Sequence, residues 1–137
     1  MPFANSFFTR SPAIPRPAVS LRRLARQIDA RWPDRSTASD GWIGDRRHVT
    51  EHSDHNPDER GVVRALDVTA DGIDPEKLVR VAKRHPAVEY VIWDRRIWSR
   101  SHGFKPRAYV GDNPHTDHVH ISLRDGDRAR LSRVPWF

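Results

Sequence analysis

Residues 114–123 read Pro-His-Thr-Asp-His-Val-His-Ile-Ser-Leu, and they place three of the chain's eight histidines, His115, His118 and His120, within six positions. His118 and His120 alternate with Val119 and Ile121. Successive side chains of a β-strand point to opposite faces. The alternation therefore predicts a strand over 115–123, with His118 and His120 on one face and the aliphatic residues packed behind. Two imidazoles side by side on a rigid strand begin a metal site that still needs a carboxylate. Residues 62–69, Val-Val-Arg-Ala-Leu-Asp-Val-Thr, supply one in Asp67. Strands disfavour Asp, and a half-buried carboxylate costs free energy unless it is paired or coordinated. Ser53-Asp54-His55 opens the polar loop that runs from there to Gly61. His55, Asp67 and His120 together make a set of two imidazoles and one carboxylate. The plainer alternative is that His118 and His120 form a surface or cross-strand pair.

The 137 residues suit one domain with one core. Hydrophobic residues make up 36% and charged residues 31%. This is the balance of a globular chain, and no apolar run approaches the length that spans a bilayer. Phe7-Phe8 is too short for the apolar centre of a signal peptide, so the expectation is synthesis in the cytoplasm and export, if any, by another route. There are no cysteines, which excludes disulfides and thiolate metal sites and leaves His and carboxylate as metal ligands. The net charge of +6 suits a polyanionic partner, either nucleic acid or an anionic cell wall.

Residues 1–18 carry four prolines and little periodicity, and read as an extended arm ahead of a domain over 19–137. Ser20 is a plausible N-cap for a helix of about twelve residues, whose apolar stripe is Leu21, Leu24, Ala25, Ile28 and Trp32 and which Pro33 stops. Trp42-Ile43 suggests a short strand or turn. Asp71-Gly72 reads as a turn, and Asp74 followed by Pro75 as a cap and first residue of a second helix with Leu78, Val79, Val81 and Ala82 inward. His85 lies at its end, where the helix dipole favours it, and is read as structural. Residues 89–93 and 97–99 read as a hairpin about Asp94-Arg95-Arg96. Residues 108–110 suggest a short strand, 111–114 a turn, and 128–133 a short helix. Pro135-Trp136-Phe137 is placed to dock on the core. The expected fold is α+β. A mostly antiparallel sheet carries the metal site on one face, and two main helices pack on the other.

Ser53-x-His55, Gly61, Ala65-x-Asp67 and His118-x-His120 together resemble the zinc peptidases of the D-Ala-D-Ala carboxypeptidase and hedgehog-type fold group, which includes peptidoglycan-cleaving endolysins. The resemblance covers about residues 47–123. Matched by position, it implies Zn2+ held by His55, Asp67 and His120. The step from His55 to Asp67 is longer than usual, and residues 56–60 read as an insertion. If that loop is assigned otherwise, His52 becomes the competing ligand. The resemblance further implies an acidic general base three residues before the last ligand, which falls on Asp117. It gives His118 the role of stabilising the tetrahedral intermediate or orienting water. His115 matches a histidine of the murein-endopeptidase branch, so the base is Asp117 first, with His115 or His118 as alternatives. Arg46 or Arg47 would hold the substrate carbonyl or carboxylate. Ser53 would brace the ligand loop, and Tyr109 and Trp98 are candidates for the cleft wall.

The function so implied is a zinc metallopeptidase that cuts peptidoglycan stems or cross-bridges. It would be a monomeric, phage-type endolysin acting on the wall after holin-type release or lysis. Peptidoglycan and anionic wall polymers are the expected partners, with no stable nucleic-acid partner and no membrane insertion. Two alternatives stay open. One is a metal-dependent nuclease of the His-Asn-His type, weakened because Asn5, Asn56 and Asn113 all lie off the predicted helices. The other is a non-catalytic wall-binding module with a structural zinc.

Overall fold

The computed structural model of the chain describes residues 14–42 and 53–137. Arg46, Arg47, His52 and residues 1–13 of the expected arm lie outside the described residues. The fold is α+β. Its centre is a five-stranded antiparallel sheet with the order β3-β7-β4-β5-β6. These strands are β3 (Ala65–Thr69), β4 (Val88–Trp93), β5 (Arg96–Ser99), β6 (Arg107–Ala108) and β7 (His118–Leu123). A separate parallel pair joins β1 (Arg16–Pro17) to β2 (Val62–Val63). Three α-helices, α1 (Val19–Arg31), α2 (Pro75–Arg84) and α3 (Asp127–Arg130), and one 3-10 turn (Arg100–His102) complete the elements of the described residues, and no helix is long and apolar enough to cross a membrane.

The period-two pattern decides which side of the sheet is core. Val119, Ile121 and Leu123 of β7 are fully buried, as are Leu21, Leu24 and Ile28 of α1 and Leu78 of α2. With Leu66, Val68 and Val91 they form one apolar cluster. A fully buried leucine or isoleucine contributes about 2 kcal/mol relative to exposure, so both helices are held chiefly by these stripes. The intervening residues, Asp67 on β3, Tyr90 and Ile92 on β4, and His118, His120 and Ser122 on β7, share the other face. Residues 62–69 are two strands rather than one, because the chain leaves β2 at Arg64 before entering the sheet.

Local chemistry accounts for most of the element ends. Asp74 caps α2 by accepting from Lys77 N at 3.1 Å, with Pro75 as the first helical residue. α1 begins two residues earlier than its sequence suggests, and Ser20 is not its cap. Ser20 is buried in the first turn, where its hydroxyl donates to Ala129 O at 2.9 Å and ties α3 to α1. Trp136 docks beside it, with its indole N–H donating to Ser20 O at 3.0 Å. The hairpin over β4 and β5 forms as expected. The expected strand over 115–123 starts only at His118, because His115 adopts φ 54°, outside the extended region. The C-terminal helix is likewise shorter than expected, ending at Arg130.

Candidate metal centre

Sheet register brings the carboxylate and one imidazole together. Asp67 on β3 is the direct cross-strand partner of His120 on β7, and both side chains leave the face opposite the core. Asp67 Oδ1 accepts from His120 Nδ1 at 2.9 Å. The third group arrives on the 53–61 loop. Ser53 Oγ accepts from the His55 backbone N–H at 3.2 Å and shapes that loop. His55 Nε2 then lies 3.2 Å from Asp67 Oδ2 and 3.1 Å from His120 Nδ1. His55 Nδ1 is 3.1 Å from Trp42 O. A carbonyl only accepts, so Nδ1 carries the proton and Nε2 keeps its lone pair for the centre. Each of the three residues offers one ligand atom, all within 4.8 Å of one another, and the set could hold a metal ion.

The electrostatics of the cluster are those of a buried carboxylate facing imidazoles. Burial alone would push the Asp67 carboxyl up, but the His120 and His55 imidazoles that face it hold it well below the usual carboxylate range. Burial would pull the His55 imidazole down, and Asp67 more than offsets this, raising it. A buried ion set of this kind is stabilised only when each member is paired or coordinated.

Two further histidines border the three. His118 is buried and presents Nε2 3.8 Å from Asp67 Oδ1. Its Nδ1 is 2.6 Å from Asp117 Oδ1. Asp117 precedes the strand, so the alternation that would have turned it away from His118 does not yet apply. Its exposed carboxylate reaches sideways to His118, which lowers the Asp117 pKa, while its backbone carbonyl accepts from Ala70 N. His115 is buried, with its ring 4.7 Å from that of His118 and 5.7 Å from that of His120. His115 Nδ1 donates to Asn113 O at 2.7 Å, which leaves Nε2 as a bare acceptor. Burial, reinforced by the neighbouring imidazoles, brings His115 down to about 4.

The structure thus gathers His55, Asp67, His120, His118, Asp117 and His115 into one site. Tyr109 stands edge-on to His115 at 5.2 Å and borders the site. Trp98 is in the core instead, with Arg96 over its ring. Sequence reasoning missed four residues behind the centre. Tyr90 stacks on the His120 ring at 5.5 Å and donates to Asp54 Oδ2 at 2.6 Å. Arg64 pairs with Asp54 Oδ1 at 2.8 Å, and Ser122 Oγ lies 2.8 Å from His120 Nε2. Ser122, two positions beyond His120, could have been found by extending the same-face rule one step. Comparison of the chain with protein-family models, curated proteins and solved structures finds no match.

Proposed function

We propose that this protein is a zinc-dependent peptidase that hydrolyses peptide bonds of bacterial peptidoglycan, in stem peptides or cross-bridges. The donor set supports zinc as the metal. Two imidazole nitrogens and one carboxylate, with no thiolate, suit zinc, whereas magnesium and calcium prefer all-oxygen sites. Three protein ligands are also the number typical of catalytic zinc sites, where a further position is left for water or substrate. His55, Asp67 and His120 would hold the ion, which would supply a Lewis acid that makes water acidic and polarises a carbonyl.

One observation carries the catalytic reading: the 2.6 Å contact between Asp117 Oδ1 and His118 Nδ1 beside the ligand cluster. A structural ion needs only its ligands. His118 stands outside the His55–Asp67–His120 set. Its Nδ1 is held by a carboxylate, and its Nε2 is turned toward Asp67. That is the arrangement of a proton-handling imidazole oriented by an acid. In this reading His118 Nε2 takes the proton from the attacking water and returns it to the leaving amine. Asp117 fixes the ring and stabilises its protonated form. His115, neutral and with a free Nε2 lone pair, accepts a hydrogen bond from a substrate N–H or from water. The substrate class rests on the resemblance of the 47–123 region, and the basic charge of the chain agrees with an anionic wall.

The test is mass spectrometry of fragments released from purified peptidoglycan by the zinc-loaded protein, with nucleic acid as the parallel substrate. New amino and carboxyl termini on stem or bridge peptides are expected, and they would identify the bond cut. Zinc binding without release from any wall preparation would instead make this a binding module with a structural ion. Cleavage of nucleic acid alone would make it a nuclease.

A further inference from the structure

We infer that Tyr109 is a substrate-binding residue, whose hydroxyl donates a hydrogen bond to a backbone carbonyl of the bound peptide, and that Gly111 is the seat that holds it in place. The inference deepens the peptidase reading above by adding a contact to its substrate, and it rests on that reading.

The fold turns the ring toward the site. Tyr109 directly follows β6, and its backbone N–H donates to Arg95 O at 2.8 Å. Ala108 and Val110 on either side are exposed, whereas Tyr109 is half-buried. Its ring stands edge-on to that of His115, with centroids 5.2 Å apart. The His115 ring in turn lies 4.7 Å from that of His118 and 5.7 Å from that of the candidate ligand His120. Tyr109 is thus one ring removed from the metal centre.

Gly111 explains why the ring stays there. The hydroxyl end of Tyr109 lies directly on the glycine backbone. A β-carbon at 111 would overlap Oη and Cζ and would stand 2.8 Å from Cε2. Gly111 is not among the glycines with positive φ, so the backbone of the turn does not require it. The missing side chain is needed for space, to let the phenol approach the backbone closely.

The chemistry of the two rings names the ligand. A tyrosine hydroxyl held on a packed ring ordinarily finds a hydrogen-bond partner. Among the described residues Tyr109 Oη makes no hydrogen bond, although His115 stands beside it. His115 Nδ1 is committed to Asn113 O at 2.7 Å, so its Nε2 offers a lone pair. The neighbouring rings therefore present one donor and one acceptor. A peptide backbone carries the complementary pair, C=O and N–H. Phosphodiester oxygens only accept, and would leave His115 Nε2 unmatched.

KM and kcat are to be measured with soluble stem-peptide fragments of purified peptidoglycan, and equilibrium binding of the same fragments by calorimetry if the wild type leaves them uncut. The zinc-loaded proteins compared are the wild type, Tyr109→Phe, Tyr109→Ala, Gly111→Ala and the double variant Tyr109→Ala with Gly111→Ala. Zinc content and melting temperature are recorded for each. Tyr109→Phe keeps the ring and loses only the hydroxyl. It is expected to weaken substrate binding about two- to tenfold, as a rise in KM with kcat little changed and zinc content unchanged. Gly111→Ala, which displaces the ring, should lose at least as much. In the Tyr109→Ala background the same glycine substitution should cost nothing further, because the seat has nothing to hold. Tyr109→Phe indistinguishable from the wild type overturns the inference, and this variant decides alone if Gly111→Ala does not fold. An equal cost of Gly111→Ala in both backgrounds overturns the seat, and losses that track zinc content or melting temperature overturn the contact. If the wild type binds the fragments without cutting them, the peptidase reading fails and the binding of the same variants still decides Tyr109. If it neither cuts nor binds them, both fall.

Discussion

In the proposed mechanism His118 and Asp117 divide one task between a side chain that faces the centre and one that faces solvent, and substitution separates their shares. His118→Ala removes the imidazole proposed to move the proton but none of the three candidate ligands. Zinc content should stay near one per chain while turnover falls about a hundred- to ten-thousandfold, the usual worth of a general acid–base residue. Asp117→Asn leaves His118 in place and removes only its orienting charge, so its loss of turnover should be smaller. If Asp117→Asn is the deader of the two with metal intact, the proton moves on the carboxylate. If His115→Ala alone is dead with metal intact, it moves on that ring. His85 makes a different point about buried imidazoles. Its Nε2 donates to Val134 O at 2.9 Å, its Nδ1 accepts from Ala87 N at 3.1 Å, and its ring stacks on Trp136 at 3.7 Å. The neutral ring is fully satisfied, and burial lowers its pKa below 6.5. It is therefore the neutral ring, and not a cation drawn to the helix dipole, that ends α2. Below a pH of about 6.5 the unfolded chain takes up a proton on this residue that the folded chain resists. The contribution of His85 to stability is thus complete above that pH and is lost as pH falls through the window beneath it. Between pH 7.5 and pH 5, the melting temperature of the wild type should fall further than that of His85→Gln. Parallel falls would remove His85 as the cause.

The turn between β4 and β5 acts at the scale of an element. Asp94 and Arg95 both have positive φ, 47° and 63°, the conformation that two-residue hairpin turns favour and that an Asn-Gly pair adopts most readily. Asp94 tolerates it, but Arg95 stands where glycine is favoured. The turn is held in place by what it grips. Asp94 N donates to His115 O, Arg95 N donates to Pro114 O, and Arg95 O accepts from Tyr109 N, each at 2.8 Å. These backbone bonds position the segment that carries His115. The double substitution Asp94→Asn with Arg95→Gly keeps every one of them and relieves the left-handed strain, which costs on the order of 1 kcal/mol per residue. The surface ion pairs lost, Asp94 with Arg95 at 3.0 Å and with Arg96 at 4.0 Å, contribute little. A melting temperature a few degrees higher is expected, with activity unchanged. A lower one would mean that the side chains, not the backbone bonds, hold the turn. The same region shows where the sequence stops being legible. The alternation at 118–123 and the Asp in an apolar run revealed two strands, the face they share and two of the three candidate ligands, Asp67 and His120, because period and burial are written locally. The positive φ of Asp94, Arg95 and His115 carries no glycine to announce it. Ser20 has the chemistry of a cap, but its hydroxyl is taken by Ala129, more than a hundred positions away. The pairing of β1 with β2 is equally non-local. The orientation of Asp117 depended on where β7 begins, which tertiary bonds to Ala70 and Asp94 decide.

For the whole molecule, the candidate metal centre is a junction of segments far apart in the chain. β7 lies between β3 and β4 in the sheet. His120 and Asp67 pin β7 to β3 across the ladder, and His55 ties the 53–61 loop to both. Asp58 in the same loop pairs with Arg130 of α3 at 2.9 Å, so the loop also links the sheet to the C-terminal helix. An ion bound at the junction closes these links together, while the unfolded chain holds His55, Asp67 and His120 far apart and binds it weakly. Binding to the folded state alone stabilises it by mass action, about 2.7 kcal/mol at a free metal concentration a hundredfold above Kd. For a domain of this size that corresponds to a rise in melting temperature on the order of 10 °C. Chelation should therefore lower the melting temperature by about this amount, and added zinc should restore it. Asp67 is the sharpest control. Asp67→Asn keeps the size of the side chain but removes the charge that both imidazoles face, so its melting temperature should stop responding to zinc. His118→Ala, which removes no ligand, should keep most of the response. If the wild type melts at the same temperature with zinc and with chelator, the three residues are a buried hydrogen-bonded cluster and no ion joins them. If His118→Ala loses the response and Asp67→Asn keeps it, the metal sits on the other side of His118.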